Sequence, residues 1–109
     1  MKDRPITYIK RDIVQRTMEK VNLDKSEVRP IVDTVFKVIS DIIISTEGEF
    51  RIEIRDFGVL LIKNTAAKPK ARNPRKPDQV IYIPARRKTY FRPGRKIFKA
   101  MRKPLSDNE

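Results

Sequence analysis

The stretch Ala71–Pro77, with the sequence Ala-Arg-Asn-Pro-Arg-Lys-Pro, lies at the centre of a segment of about forty residues that is almost purely cationic. From Lys63 to Lys103 the chain carries fifteen lysines and arginines but a single acid, Asp78. Before Lys63 the basic and acidic residues are equal in number, eleven of each, so the net charge of +12 comes from one part of the chain. Such a concentration of positive charge indicates a polyanionic partner.

Strand patterns lie on both sides of this cationic segment. Three short segments rich in β-branched or aromatic residues are predicted as strands: Phe50–Ile54, Phe57–Ile62 and Val80–Ile83. The residues from Lys63 to Asp78 are mostly basic, small or proline, so they cannot contribute to a core. The strands around them most simply form an antiparallel hairpin, whose tip lies near Asn73-Pro74 because Asn-Pro favours a turn. Pro84–Phe91 is predicted as an extended basic stretch.

Two helices are predicted before the strands and one after them. Apolar residues recur at helical spacing over Ile9–Val21, and Asp24 with Glu27 forms a capping box for a second helix that ends near Ser45. Pro30 falls in the first turns of that helix and predicts a bend there or a start near Ser26. A short final helix runs from Arg95 to about Arg102.

The second helix is apolar around most of its circumference in its later half, so it must be buried on more than one side. In a chain of 109 residues, which is one small domain, the simplest second side is another copy of the same chain.

Composition argues against several classes of protein. The chain has no cysteine and no histidine, which removes disulfides, thiolate zinc sites and the commonest general base, so we expect no enzyme and no cofactor. The acidic residues occur among basic ones, which favours solvated ion pairs over a metal site. No apolar run approaches the roughly 20 residues of a membrane span, and the N-terminus has no secretory pattern. We therefore expect a soluble, intracellular protein.

Four short motifs, in this order and spacing, resemble the bacterial histone-like HU/IHF family. They are Arg55–Gly58, Ala71–Pro74, Ile81–Ala85 and Phe91–Lys96, which match a Phe-Gly, an Arg-Asn-Pro, an Ile-x-Ile-Pro-Ala and a Phe-x-Pro-Gly-Lys pattern. The resemblance covers roughly Ile9 to Arg102, nearly the whole chain.

The resemblance implies an α+β fold: an intertwined dimer with two N-terminal helices, an antiparallel β saddle, a protruding β-ribbon arm and a short C-terminal helix. Residues 9–103 are the implied DNA-binding domain, with the arm at about 63–80, between an N-terminal extension (1–8) and a C-terminal tail (104–109). The implied function is architectural. The protein binds and bends double-stranded DNA in the nucleoid of the bacterial cytoplasm, with the arms in the minor groove.

The resemblance also implies roles for particular residues. Pro74 is the expected wedge between base pairs at the arm tip, as is known for this family. Phosphate contacts are expected along the arm from Lys63, Lys68, Lys70, Arg72, Arg75 and Lys76. Further contacts on the saddle flanks are expected from Arg86, Arg87, Lys88, Arg92, Arg95 and Lys96. Asn73 either contacts a base edge or shapes the turn, and Tyr82 and Tyr90 either stack on bases or pack against the protein. The dimer core is expected to include Phe36, Ile39, Phe57 and Phe91.

The chain departs from the family pattern at the tip. Arg75-Lys76-Pro77 follows Pro74 where the family has a polar residue and Thr-Gly, and Lys88-Thr89 replaces a Val-Pro pair. One residue is added on each side of the tip motif, which is compatible with arm strands that stay in register and a slightly longer arm.

The residues leave other partners open. The dimer can be formed with an identical chain or with a paralogue. A ribosomal or other RNA-binding protein has similar size and charge, although an RNP-like aromatic strand and a Gly-x-x-Gly loop are missing. Attachment to a membrane surface is a third possibility, but the sequence has no amphipathic basic helix of the kind that such attachment uses. No small-molecule substrate is expected.

Overall fold

The computed structural model describes residues 4–105, and in this range the chain forms three helices and five strands. They are α1 (Lys10–Val21), α2 (Lys25–Ser45), β1 (Phe50–Ile54), β2 (Gly58–Thr65), β3 (Lys68–Asn73), β4 (Lys76–Ile83), β5 (Arg86–Pro93) and α3 (Arg95–Met101). The α+β class and the order of elements are confirmed. The outermost parts of the predicted extension and tail, residues 1–3 and 106–109, lie outside the described residues.

The chain divides after Ser45 into a helical unit and a sheet unit, which starts at Thr46. The helical unit has a core of three buried valines with Met18 packed against it: Val14, Val28 and Val32. Asn22 ends α1 in the left-handed conformation, with φ of 57°, and its N–H donates to the Met18 carbonyl at 2.8 Å. This closure explains why α1 stops where the sequence predicted a break.

Asp24 starts α2, as the capping pattern predicted. Its carboxylate accepts hydrogen bonds from the Ser26 hydroxyl at 2.7 Å and from the Glu27 N–H at 3.3 Å. These hydrogen bonds lower the pKa of Asp24, and the bond from Ser26 has the largest effect. The helix begins at Lys25 and continues through Pro30 to Ser45. Pro30 removes one backbone donor near the start of α2, and the remaining turns are sufficient to keep the helix continuous.

The sheet unit contains two antiparallel sheets. In the first, β2 is central and pairs with β1 on one side and β5 on the other, so the stretch predicted only as extended is a full strand. The second sheet is the hairpin of β3 and β4. Only Ala66–Ala67 and Pro84–Ala85 separate the two sheets, so β2 to β3 and β4 to β5 are the two sides of one long hairpin.

The two glycine-containing motifs meet at the start of β2. A Cβ atom on Gly58 would lie 2.5 Å from the Arg92 carbonyl oxygen and 2.6 Å from the Phe91 ring. The Gly94 N–H donates to the Phe57 carbonyl at 2.8 Å, and a Cβ there would be 3.0 Å from that oxygen. Phe57 and Phe91 are in ring contact, with centroids 5.1 Å apart. The glycines therefore allow β2, β5 and the start of α3 to approach closely.

Much apolar surface stays exposed in the single chain. On α2, Ile31 is 58% exposed, Val35 52%, Phe36 43% and Val38 49%, although these residues belong to the most apolar helix. In the sheet unit Phe57, Phe91, Phe98 and Met101 are also exposed, and Ile62 is the one buried apolar residue among those described there. Large exposed apolar patches on a soluble protein usually mark an interaction surface.

Candidate nucleic-acid interface

The pairing of β2 with β5 sorts the side chains of the sheet onto two faces. The register is constant over eight residue pairs, from Gly58↔Pro93 to Thr65↔Arg86. Because side chains alternate along a strand and paired residues share a face, the positions of all the sheet's cations follow from this register.

One face, here called the cationic face, carries five basic side chains together with Leu61 and Tyr90: Arg51, Lys63, Arg86, Lys88 and Arg92. The acid on the paired strands of this face, Glu53, forms an ion pair with Arg51 at 2.9 Å. Lys63 lies directly opposite Lys88. Like charges opposite each other destabilise a sheet, so this arrangement does not serve folding. It is the arrangement expected of a surface that binds a polyanion.

The opposite face is apolar, and one of the residues predicted to contact DNA, Arg87, belongs to it. Phe50, Ile52, Ile54, Leu60 and Ile62 line this face. Arg87 is on the same side, and its guanidinium donates to the carbonyls of Thr46 at 2.6 Å and Gly48 at 3.2 Å. Arg87 was predicted as a saddle contact with its neighbours. In the structure it holds the loop before β1 against β5, and its contact with DNA stays a prediction.

The arm, Lys68–Ile83, is the paired hairpin that the sequence predicted. Pro74 and Arg75 form the exposed turn between Asn73 and Lys76, so the Pro74 ring lies at the tip. Lys63, the first residue of the predicted arm at about 63–80, lies on β2, which leads into β3 on the same side of the long hairpin. The other basic residues predicted for the arm are exposed on it: Lys68, Lys70, Arg72, Arg75 and Lys76.

The arm strands are not in continuous register. Two residues, Pro69 and Lys70, lie between the pairs Lys68↔Ile83 and Ala71↔Ile81, where β4 has only Tyr82. A second shift occurs between Arg72↔Val80 and Asn73↔Lys76, where β4 has the three additional residues 77–79. The residues added around the tip are thus accommodated by irregular pairing. The expected in-register extension is wrong, because Pro69 and Pro77 have no N–H to donate to a ladder.

The Asn73 side chain forms hydrogen bonds to neighbouring residues of the arm tip. Its Oδ1 accepts a hydrogen bond from the Arg75 N–H at 3.0 Å, and its Nδ2 donates to Gln79 Oε1 at 3.4 Å. Both ends of the side-chain amide are therefore engaged in the turn. Of the two predicted roles for Asn73, this geometry favours the shaping of the turn.

Arg95 and Lys96 occupy the first turn of α3 and are exposed. Basic side chains at the start of a helix oppose the helix dipole, and this first turn contains no acidic residue. As with Lys63 and Lys88, the charges are placed at some cost to local stability.

The helical unit has a second group of cations that the sequence analysis did not single out. A cleft of about 230 Å³ is lined by Lys10, Arg11, Val14, Lys25 and Arg29. Asp33 partly neutralises the cleft, since it lies 2.7 Å from Lys10 and 3.9 Å from Arg29, and the bond from Lys10 lowers the pKa of Asp33. Equal numbers of acids and bases in this part of the sequence concealed the cluster, which only the packing of α1 on α2 assembles.

Two kinds of site are not found in the part of the chain that the structure describes. Residues 4–105 contain no group of three or more acidic, histidine or cysteine side chains placed to hold a metal ion. No helix in that range is long and apolar enough to cross a membrane.

Comparison with known proteins gives consistent matches. The family model described as "Bacterial DNA-binding protein" matches residues 8–102. A probable DNA-binding protein HU of Chlamydia trachomatis is 29% identical over 103 residues, which cover 94% of this chain and 98% of that protein. Integration host factor subunit alpha of Anaeromyxobacter sp. is 34% identical over 98 residues, covering 90% and 82%. An Anabaena HU–DNA cocrystal structure has the same fold, with a TM-score of 0.74 at 21% identity over 89% of this chain and all of that one.

The different faces of Arg87 and Lys88 give a test of the sheet geometry. Arg87→Ala should lower the free energy of unfolding by about 1–2 kcal/mol, because two backbone carbonyls lose a charged donor. The neighbouring Lys88→Ala should leave stability unchanged or raise it slightly, because it removes the repulsion from Lys63. Urea unfolding followed by circular dichroism measures both. Equal losses in the two variants would contradict the assignment of faces.

Proposed function

This chain belongs to the bacterial DNA-binding protein family that includes HU and integration host factor, and on that premise we propose that it is an architectural protein of the nucleoid that binds and bends double-stranded DNA. The observation that carries the proposal is the cationic face. There, Lys63 and Lys88 are held opposite each other without a compensating acid in the pair, and the arm continues the positive charge to the tip.

A DNA phosphate backbone compensates the cost of this arrangement. Each phosphate that a lysine or arginine neutralises releases condensed counterions, so binding is favoured entropically and weakens steeply with salt. Contacts of this kind fix the position of the duplex and do not read its bases. Sequence preference in such a protein comes from the deformability of DNA and from contacts in the minor groove.

We propose different roles for the cations and for the proline at the arm tip. Arm and face cations hold the phosphates: Lys63, Lys68, Lys70, Arg72, Arg75, Lys76, Arg86, Lys88, Arg92, Arg95 and Lys96. Pro74 inserts its ring at a base step and bends the duplex. A proline suits this task because its ring is apolar and its nitrogen carries no hydrogen that would need a partner between the bases.

We further propose that the functional unit is a homodimer. The exposed apolar residues of α2 and of the sheet unit, among them Phe36, Phe57 and Phe91, supply surface for a second copy to cover. Ile39, half-buried in the single chain, belongs to the same proposed core. Two copies also provide two arms, and two wedges on one duplex bend it more than one.

The phosphate role of the arm predicts a change in salt dependence. The double substitution Arg72→Ala and Arg75→Ala should weaken duplex binding and reduce the slope of log K against log salt by about one unit for each phosphate that is no longer neutralised. Fluorescence anisotropy at several salt concentrations measures the slope. Arg16→Ala is a matched control, because the Arg16 guanidinium lies over the Tyr8 ring in the helical unit. An unaltered slope in the double variant would show that these arginines do not contact phosphates. An RNA duplex of equal length that competes as well as DNA would instead favour the RNA-binding alternative.

The wedge role predicts a selective loss of bending. Pro74→Ala should reduce the bend angle measured by fluorescence resonance energy transfer between the duplex ends, with a smaller effect on affinity at low salt. Pro69→Ala is the control, since it removes a proline from the same arm away from the tip. A Pro74→Ala protein that bends DNA as the unaltered protein does would rule out the wedge.

The dimer predicts concentration-dependent stability. The mass in solution should be twice that of the 12.8 kDa chain, and the unfolding midpoint should rise with protein concentration. Phe36→Ala should cost about 3–5 kcal/mol if a second copy buries the ring, and much less if the ring stays 43% exposed. Lys37→Ala, at the adjacent exposed position, is the control. A monomeric mass with a concentration-independent midpoint would contradict the dimer.

A further inference from the structure

Tyr82 occupies an irregular position in the arm. It lies on β4 opposite the two residues Pro69 and Lys70, at the register shift between Lys68↔Ile83 and Ala71↔Ile81. Pro69 cannot donate a ladder hydrogen bond, so regular pairing is interrupted at this point. The extra residue belongs to β3 and bends that strand, and irregularities of this kind are frequent beside functional sites.

The Tyr82 side chain lies on the more exposed face of the arm hairpin. Tyr82 is 64% exposed and Val80 65%, whereas Ile81 and Ile83 between and beside them are half-buried. Val80 pairs with Arg72, so Tyr82, Val80 and Arg72 share one face of the hairpin. The expectation that Tyr82 packs against its own chain is therefore not supported. An exposed aromatic ring beside an exposed valine and a cation forms an apolar and positively charged contact surface.

Resting on the proposed function, we propose that Tyr82 is a specificity-determining contact of the arm with the minor groove. Its ring packs against the deoxyribose of the groove wall, and its hydroxyl donates to the acceptor atoms at the groove floor. In the minor groove an A·T pair presents adenine N3 and thymine O2 as acceptors only. A G·C pair adds the guanine N2 amino group, a donor that also fills the groove. Tyr82 thereby favours A·T pairs, with Arg72 on the same face attracted to the negative potential of a narrow A·T groove.

The role of the Tyr82 hydroxyl can be tested separately from that of the ring. Tyr82→Phe keeps the ring, its packing and the strand propensity, and removes only the donor. Tyr82→Ala removes the ring as well. Tyr8 supplies the control, because it is equally exposed at 65% but lies in the helical unit with its ring under Arg16. Tyr8→Phe should behave as the unaltered protein.

Three duplexes of equal length separate recognition of the chemical groups in the minor groove from recognition of the bases themselves. One has A·T pairs at its centre, one G·C pairs, and one inosine·cytosine pairs, which lack the guanine amino group and so resemble A·T in the minor groove. The unaltered protein should bind the A·T and inosine·cytosine duplexes more tightly than the G·C duplex. In Tyr82→Phe that preference should fall about fivefold for each engaged arm, the value of one net hydrogen bond. Tyr82→Ala should lose the preference and overall affinity together.

The outcomes separate this inference from the proposed function. A Tyr82→Phe protein with an unchanged A·T preference overturns the inference, as does an unaltered protein that binds all three duplexes equally. Both results leave the salt slope and the bend intact if the architectural function is correct. If the unaltered protein shows neither salt-dependent binding nor bending, it is the proposed function that fails.

Discussion

The constant register between β2 and β5 is the constraint on which the rest of the sheet unit depends. Eight consecutive pairs without a shift give every side chain of these strands a fixed face. A slip of one residue would exchange the cationic and apolar faces and would bury Lys63 and Lys88. The Phe57-Gly58 and Pro93-Gly94 backbones approach closely at one end of this ladder, where Gly58 leaves no room for a side chain and a Cβ atom on Gly94 would be a tight contact. At the other end the Thr65 hydroxyl donates to the Arg86 carbonyl at 3.1 Å and accepts from its N–H at 3.3 Å.

The ladder also explains why a small chain tolerates so much unbalanced charge. Repulsion between Lys63 and Lys88, and cations at the start of α3, oppose folding by small amounts. The apolar face and Ile62, which is 2% exposed, provide opposing stabilisation on the other side of the same strands. Charge and hydrophobic burial are thus separated by the thickness of a single sheet. Residues 4–105 of the single chain bury only four apolar core residues, so the stabilisation that this chain supplies by itself is small.

The sequence was sufficient to predict the helices and the turn of the arm, but it did not identify β5 as a strand or show which residues lie on each face of the sheet. Helical periodicity predicted α1, α2 and α3, and the Asn73-Pro74 pair predicted the turn of the arm, because these features depend on neighbouring residues. Arg86, Arg87 and Lys88 are three consecutive cations, and composition alone cannot distinguish them. Only the register shows that the middle one faces the apolar side, where the loop carbonyls of Thr46 and Gly48 accept its hydrogen bonds. The cleft around Lys10 and Arg29 was missed for a similar reason, since packing of two helices creates it and local charge balance conceals it.

The arm tip shows how a departure from a family pattern can be accommodated without the residue that the pattern uses. All three glycines of the chain, Gly48, Gly58 and Gly94, lie outside the arm. The turn at Pro74-Arg75 is held instead by the Asn73 side chain, which accepts from the Arg75 N–H and donates to Gln79. Pro77 then falls within the second register shift, where a missing N–H costs no ladder hydrogen bond. Prolines restrict the unfolded chain more than glycines do, so a tip built this way loses less conformational entropy on ordering. The substitution of Lys76-Pro77 for a glycine-containing pair therefore favours a tip that presents Pro74 in one conformation before DNA is bound.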